Sequence, residues 1–258
     1  MSTQPHEPRW EGRNASKDVL RREIWHLLEE TGSSVGTVWS HIPNFVGAEV
    51  AAARLAELPI WQQAKIVKAN PDSPQIPVRL RALQDGKLLY MPIPELKDDF
   101  PFVLFDPAEL TKQGISFESA AQGKHGVKFG RKVRFEEMLP IDLVVTGCVA
   151  VTRNGARTGK GGGFADLELG LFRELRLLKP ETPVATTVHP VQIVPDDRLT
   201  MLPHDSPLHW IITPDEVIET HTPYPSPTGV YWAAVQPDQY RDIPFLAGLK
   251  EALAKDRE

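Results

Sequence analysis

Cysteine is nearly absent from this 258-residue chain: Cys148 is the only one, so no intramolecular disulfide can form and a cysteine-rich zinc site is disfavoured. A chain that folds without disulfides fits a reducing compartment, and a cytoplasmic location is expected. Long apolar runs are missing as well. The longest, Ile141 to Val151, is interrupted and too short to span a bilayer, and the polar segment Met1 to Asn14 has no apolar signal core. No association with a membrane is therefore expected. Excess positive charge is also lacking: 29 Lys+Arg against 34 Asp+Glu leave a net charge of -5, which removes the broad basic surface of a nucleic-acid binder. One local basic run, Lys124, Lys128, Arg131, Lys132 and Arg134, keeps an RNA-binding module open as an alternative, although such runs are usually solvated faces. The histidines show no metal-ligand spacing, and neither a Ser-His-Asp arrangement nor a nucleophile elbow is visible.

What is present is an ordinary globular composition, 41% hydrophobic and 24% charged, which supplies a sizeable core. The expected organisation is a loose tail over 1–14 and one α/β domain over 15–258, with 221–258 as an extension packed on it. Val19, Leu20, Ile24, Leu27 and Leu28 recur at helical spacing and put Lys17 and Arg21 one turn apart on the same helix. Helical spacing from Val50 to Leu58 and a strand from Lys65 to Ala69 follow. Leu88 to Met91 reads as another strand. The segment Glu95 to Pro140 is poorly periodic and reads as a long excursion over one face, with one helix near Pro107 to Gln113. Ile141 to Val151, rich in valine, reads as one central parallel strand buried on both faces. A helix from Phe164 and a buried strand from Pro183 to Val188 complete a strand, glycine turn, helix, strand unit. Beyond it, Trp210 to Thr213 predicts a strand, Pro214 to Glu219 a short helix, Gly229 to Val235 a late strand, and Tyr240 to Lys255 an amphipathic helix.

The segment from Gly155 to Asp166 combines what a phosphate site needs. Its glycines, Gly159, Gly161, Gly162 and Gly163 among them, let backbone N–H groups approach an anion, and the following helix offers its positive end. Arg157 and Lys160 can neutralise phosphate charge, and Asp166 can hold Mg2+. Two familiar patterns do not match. The P-loop pattern requires a glycine at Asn154 and Ser or Thr at Gly161, while the dinucleotide pattern requires a glycine at Phe164. Trp25, Trp39 and Trp61 are candidates for stacking a ring, although Trp25 and Trp61 sit among periodic apolar residues and read as core.

The segment Gly-x-Arg-x-Gly-x-Gly-Gly-Gly-Phe-x-Asp, Gly155 to Asp166, resembles the signature of the 5-formyltetrahydrofolate cyclo-ligases, also called methenyltetrahydrofolate synthetases. Lys17-x-x-Leu20-Arg21, Leu58-Pro59-x-Trp61 and Leu202-Pro203-His204-Asp205 with Ile211-Ile212-Thr213 extend the resemblance over roughly residues 15 to 220. The resemblance implies a three-layer, mostly parallel open sheet like those of CoA-transferases and ribose-phosphate isomerases. It implies binding of ATP by Lys17, Arg21, Arg157, Lys160, the glycines, Phe164 and Asp166, with Mg2+ on Asp166 and catalytic roles for Arg157 and Asp166. Phe164, Gln192, His204 and Asp205 are implied on the substrate side. The implied activity phosphorylates the formyl oxygen of 5-formyltetrahydrofolate, which N10 then displaces to close the 5,10-methenyl ring. The partner is then a small molecule, and the chain a monomer or homodimer.

The chain departs from the family pattern at the folate end. Asn70-Pro71-Asp72-Ser73-Pro74-Gln75 stands where the family has a Glu-Val-Asp/Asn-Thr motif, Phe164-Ala165 replaces paired tyrosines, and His209 replaces an aspartate. Together with Ile42-Pro43-Asn44-Phe45-x-Gly47-Ala48 and Ala165-Asp166-Leu167-Glu168, these changes resemble a paralogous branch, the methenyltetrahydrofolate synthetase domain-containing proteins. That branch implies, as the alternative to cyclo-ligase activity, another small substrate in thiamin metabolism.

Overall fold

The computed structural model describes residues 9–255. Helices α1 (Ala15–Glu30), α2 (Ala48–Glu57) and α3 (Pro59–Gln63) precede strand β1 (Ile66–Ala69), and α4 (Ile76–Gln84) leads to β2 (Leu88–Pro92). After β3 (Phe102–Phe105) come α5 (Pro107–Lys112), α6 (Phe117–Ala120) and α7 (Gly123–Gly126), then β4 (Arg131–Val133). Strands β5 (Leu143–Val145), β6 (Ala150–Thr152) and β7 (Arg157–Thr158) lead to α8 (Phe164–Glu174) and β8 (Val184–Thr187). The chain closes with β9 (Ile193–Val194), β10 (Trp210–Ile212), β11 (Val217–Glu219), α9 (Pro237–Asp242) and α10 (Leu246–Lys255).

Eight strands form the main sheet in the order β11-β10-β8-β5-β1-β2-β3-β4, parallel from β10 through β2 and antiparallel at both edges. Strand alternation sends side chains to two cores. Val67, Leu89, Leu143, Ala185 and Ile212 pack with α2 and α4, while Tyr90, Val144, Val184 and Ile211 pack with α8 and the C-terminal helices. Helices therefore cover both faces, as the three-layer expectation requires. Trp25 and Trp61 are buried, in agreement with a core reading, and each such side chain contributes on the order of 2 kcal/mol or more by leaving water. Trp39 packs at a tilt on Trp25 and hydrogen-bonds Glu29. A second, three-stranded sheet, β7-β6-β9, carries α1: Leu20, Ile24 and Leu28 bury against Val149, Ala150 and Val194. Among the described residues no helix is long and apolar enough to cross a membrane.

Several expectations are corrected. The run Ile141 to Val151 is two strands in two sheets, because the chain leaves the main sheet after Val145 and joins β9 from Ala150. Gly147 marks the break: a Cβ there would lie 2.8 Å from Ile42 and 3.1 Å from Gln75. Both strands are buried, so apolar periodicity could not separate them. The middle is no excursion, since β3 joins the main sheet antiparallel to β2 and β4 joins it antiparallel to β3. Within it, Lys132 pairs with Asp98 and Arg131 with Glu137, which offsets two of the five cations of the basic run, and Arg134 stacks on Phe100. Leu58-Pro59-x-Trp61 starts a short helix, with the proline in its first turn. Pro214 to Glu219 is not helical: Thr213 closes a turn through its hydroxyl to the Glu216 N–H, and β11 returns beside β10. Gly229 to Val235 forms no strand, and the terminal helix is split between α9 and α10 at Ile243-Pro244.

Candidate functional site

Gly155 closes the hairpin between β6 and β7, so the glycine loop itself runs only from Gly159 to Gly163, before α8. Gly161 has φ 107° and Gly163, which caps α8, has φ 70°, conformations that side chains resist. No side chain caps this helix end. Among the described residues none of the peptide N–H groups from Gly159 to Asp166 donates to a protein acceptor. Backbone donors are seldom left so bare, and a run of them at a helix N-terminus favours an anion.

The loop is braced from outside by its carbonyls. Arg21 donates Nε to Gly159 O at 2.7 Å and Nη2 to Thr158 Oγ1 at 2.8 Å, while its Nη1 meets Asp18 at 2.5 Å. Burial lowers the Arg21 pKa against the raising effect of Asp18. Arg13 and the amide of Gln239 share Gly162 O at 2.7 and 3.1 Å. Residues 9–14, expected as part of a loose tail, lie across this loop: Trp10 meets Phe164 edge to face at 5.5 Å, and Arg9 pairs with Glu95. Residues 1–8 of that tail lie outside the described residues.

A cleft of about 260 Å³ opens beside the loop, lined by Lys17, Lys160, Asp166, Glu168, His204 and Asp205 among others. Asn14 caps α1 by accepting from the Lys17 N–H, which fixes Lys17 in the first turn facing the cleft. Its ammonium pairs with Asp205, whose Oδ2 also accepts from Leu202 N. His204 Nε2 lies 3.7 Å from the same carboxylate. Lys160, half-buried, is 3.3 Å from Asp72. Arg157 is buried: Nε donates to Ser206 O at 2.8 Å and Nη2 to Asp166 Oδ1 at 2.5 Å, and Ser206 N reaches the same Oδ1 at 2.9 Å. Asp166 Oδ1 is thus committed, and among the described residues Oδ2 has no partner.

The sequence-selected residues Lys17, Arg21, Arg157, Lys160, Phe164, Asp166, His204, Asp205 and the loop glycines all line this one cleft. Gln192 does not. It is buried with both ends satisfied, Nε2 donating to Cys148 O and Val149 O and Oε1 accepting from His189 N, so it joins two segments of the core. Two residues were missed. Lys68 in β1 and Glu168 in α8 form a buried ion pair below the loop, with Lys68 also 2.8 Å from Asn70 Oδ1. Burial raises the Glu168 pKa and lowers that of Lys68, each opposed by the other's charge. A lysine inside an otherwise apolar strand was the available signal. The inner end is further polar because Gln75, fully buried behind Gly147, has neither amide atom hydrogen-bonded among the described residues.

Comparison with known proteins gives a consistent picture. A family model described as the 5-formyltetrahydrofolate cyclo-ligase family matches residues 13–214. Curated relatives named methenyltetrahydrofolate synthase domain-containing protein are 35% identical over 92% of the chain in Mus musculus and 33% identical over 95% in Homo sapiens. The chain spans 63% of the length of each of these relatives. The solution structure of a 5,10-methenyltetrahydrofolate synthetase from Aquifex aeolicus superposes with TM-score 0.51 at 20% identity, over 81% of this chain and 94% of that one. At that identity the likeness concerns the fold.

Proposed function

The chain belongs to the 5-formyltetrahydrofolate cyclo-ligase family, and from that premise we propose that the cleft binds ATP with Mg2+ and activates an oxygen of a small substrate for ring closure. One observation carries the reading: bare peptide N–H groups from Gly159 to Asp166 stand beside the cations Lys17 and Lys160. A polyphosphate satisfies those donors and competes with Asp205 and Asp72 for the two ammonium groups. Arg21 and Arg157, whose donors are largely spent on loop carbonyls and carboxylates, are assigned to positioning: Arg21 shapes the loop and Arg157 aims Asp166. Asp166 Oδ2 is the oxygen left for Mg2+. Among the described residues no group of three His, Cys, Asp or Glu side chains comes together, and a bound Mg2+ would complete its shell with phosphate oxygens and water, as is usual for this ion.

In the cyclo-ligase reaction the γ-phosphoryl group passes to the formyl oxygen of 5-formyltetrahydrofolate and ADP leaves. N10 then attacks the activated carbon, loses its proton and expels inorganic phosphate, giving 5,10-methenyltetrahydrofolate. Catalysis of this kind needs alignment and charge neutralisation more than a protein nucleophile. The polar inner end, with Asn70, Glu168 and the Gln75 amide behind it, favours a second reading in which a thiamin-related polar heterocycle replaces the folate. Mixing the protein with ATP, Mg2+ and 5-formyltetrahydrofolate decides between them: growth of the methenyl chromophore supports the cyclo-ligase reading. ATP binding without that chromophore sinks it and moves the second reading forward.

A further inference from the structure

A second and roomier cavity, about 860 Å³, lies at the opposite end of α8 and takes no part in the reading above. Arg173, in the last turn of α8, and Arg176 and Lys179 beyond it recur every three residues, and all three line this cavity. Arg173 is half-buried and spends a single donor, Nη1, on Ser206 Oγ at 2.8 Å. A guanidinium has five N–H donors, and the remaining ones have no protein acceptor among the described residues. Arg176 and Lys179 are exposed and, among the described residues, have no acidic partner.

The same cavity is also lined by His209, Thr220, His221, Thr222 and Tyr224. Among the described residues Glu219 is the one carboxylate lining the cavity, and it lies 3.8 Å from His221. His209 accepts from Val184 N through Nδ1, which orients the ring and makes Nε2 its second polar atom. The end of α8 offsets only about half a unit of positive charge, less than three cations supply. Burial, against the raising effect of Asp166, pulls the Arg173 pKa down to about 10. Backbone strain gathers here too: Arg176 has φ 58° and His221 φ 44°, conformations disfavoured for such residues and often retained at binding sites. Leu178, Pro180 and Pro227 give the cavity an apolar wall.

We infer that this cavity is a binding site for a small organic phosphate, its dianionic group held by Arg173, Arg176 and Lys179 and its organic part resting on the apolar wall. A dianion fits better than a carboxylate because the three cations lining one cavity exceed one negative charge and a guanidinium fork grips two phosphate oxygens at once.

Calorimetric titration of the full chain with phenyl phosphate tests this. The double variant Arg176→Gln/Lys179→Gln changes exposed side chains only, so an unchanged melting temperature confirms that its fold is kept. It is expected to weaken binding tenfold or more, and Glu219→Gln, which removes the cavity's carboxylate, to tighten it several-fold. Benzoate is expected to bind at least tenfold more weakly than phenyl phosphate. Wild-type affinity in the double variant, weaker binding by Glu219→Gln, or benzoate binding as tightly as phenyl phosphate would overturn the inference.

Discussion

Replacing Glu168 with glutamine leaves the Lys68 ammonium alone in the layer between the main sheet and α8. The lysine is wholly buried and its partner is 3% exposed, so water cannot take over the lost charge. The cost has a ceiling. Lys68 can escape by shedding its proton, which from a free pKa of about 10.4 costs about 4.6 kcal/mol at pH 7, at about 1.36 kcal/mol per unit. The retained hydrogen bond to Asn70 Oδ1 lowers the cost below that ceiling. We expect about 3 kcal/mol, the lower end for removing one partner of a buried pair, and a melting temperature lower by about 6 to 12 °C. Lys68→Met/Glu168→Leu removes both charges and is expected near wild-type stability, which makes the two sites strongly coupled in a double-mutant cycle. The single variant has a second signature. With Lys68 depressed in the fold and ordinary when unfolded, the unfolded chain binds more protons, so stability rises as pH rises from 7 toward 10. Urea unfolding at several pH values measures all of this. A loss below about 1 kcal/mol for Glu168→Gln, or a double variant as damaged as the sum of the singles, refutes the reasoning.

Other consequences can be checked with less effort. Gly161→Ala forces a side chain onto φ 107° and brings its Cβ to 2.9 Å from Trp10, so it should cost about 1 to 3 kcal/mol and weaken ATP binding at least tenfold by calorimetry. His209 is held neutral by burial and by the Arg173 charge, its pKa lowered, and its Nδ1 must stay an acceptor. The stabilisation is present above the unfolded value near 6.5 and is lost as pH falls below it, so thermal melts from pH 7.5 to 5.5 should decline less in His209→Asn than in the wild type. Cys148 is buried with its pKa raised chiefly by that burial, so a thiol reagent should label it only after denaturant is added, and labelling of the native chain contradicts the packing.

Much of the cleft was legible because its chemistry is local in sequence. Gly159 to Asp166 declares itself through glycines, cations and a carboxylate, and Lys17 and Arg21 share one helical turn. The structure alone assigned which atoms are free: Arg157 and Arg21 look like phosphate ligands in the sequence yet spend their donors on Asp166, Ser206, Gly159 and Thr158. Gln192 was misplaced because its partners, the carbonyls of Cys148 and Val149, are brought to it by a parallel pairing between β6 and β9. The same non-local pairing broke the apolar run at Gly147. Lys68 and Glu168 are far apart in the chain, and neither pattern nor charge spacing pairs a strand residue with a helix residue across a layer. The hairpin of β10 and β11 escaped notice because Thr213 reads equally as a helix cap and as a turn residue.

The central claim is that a polyphosphate rests on the peptide N–H groups between β7 and α8. Titrating the 15N-labelled chain with Mg2+-ATP and following every backbone amide tests it most directly. The amides of Gly159 to Asp166 should move together and saturate with the affinity measured by heat. Saturable ATP binding that leaves those amides unmoved, or no ATP binding at all, would contradict the account.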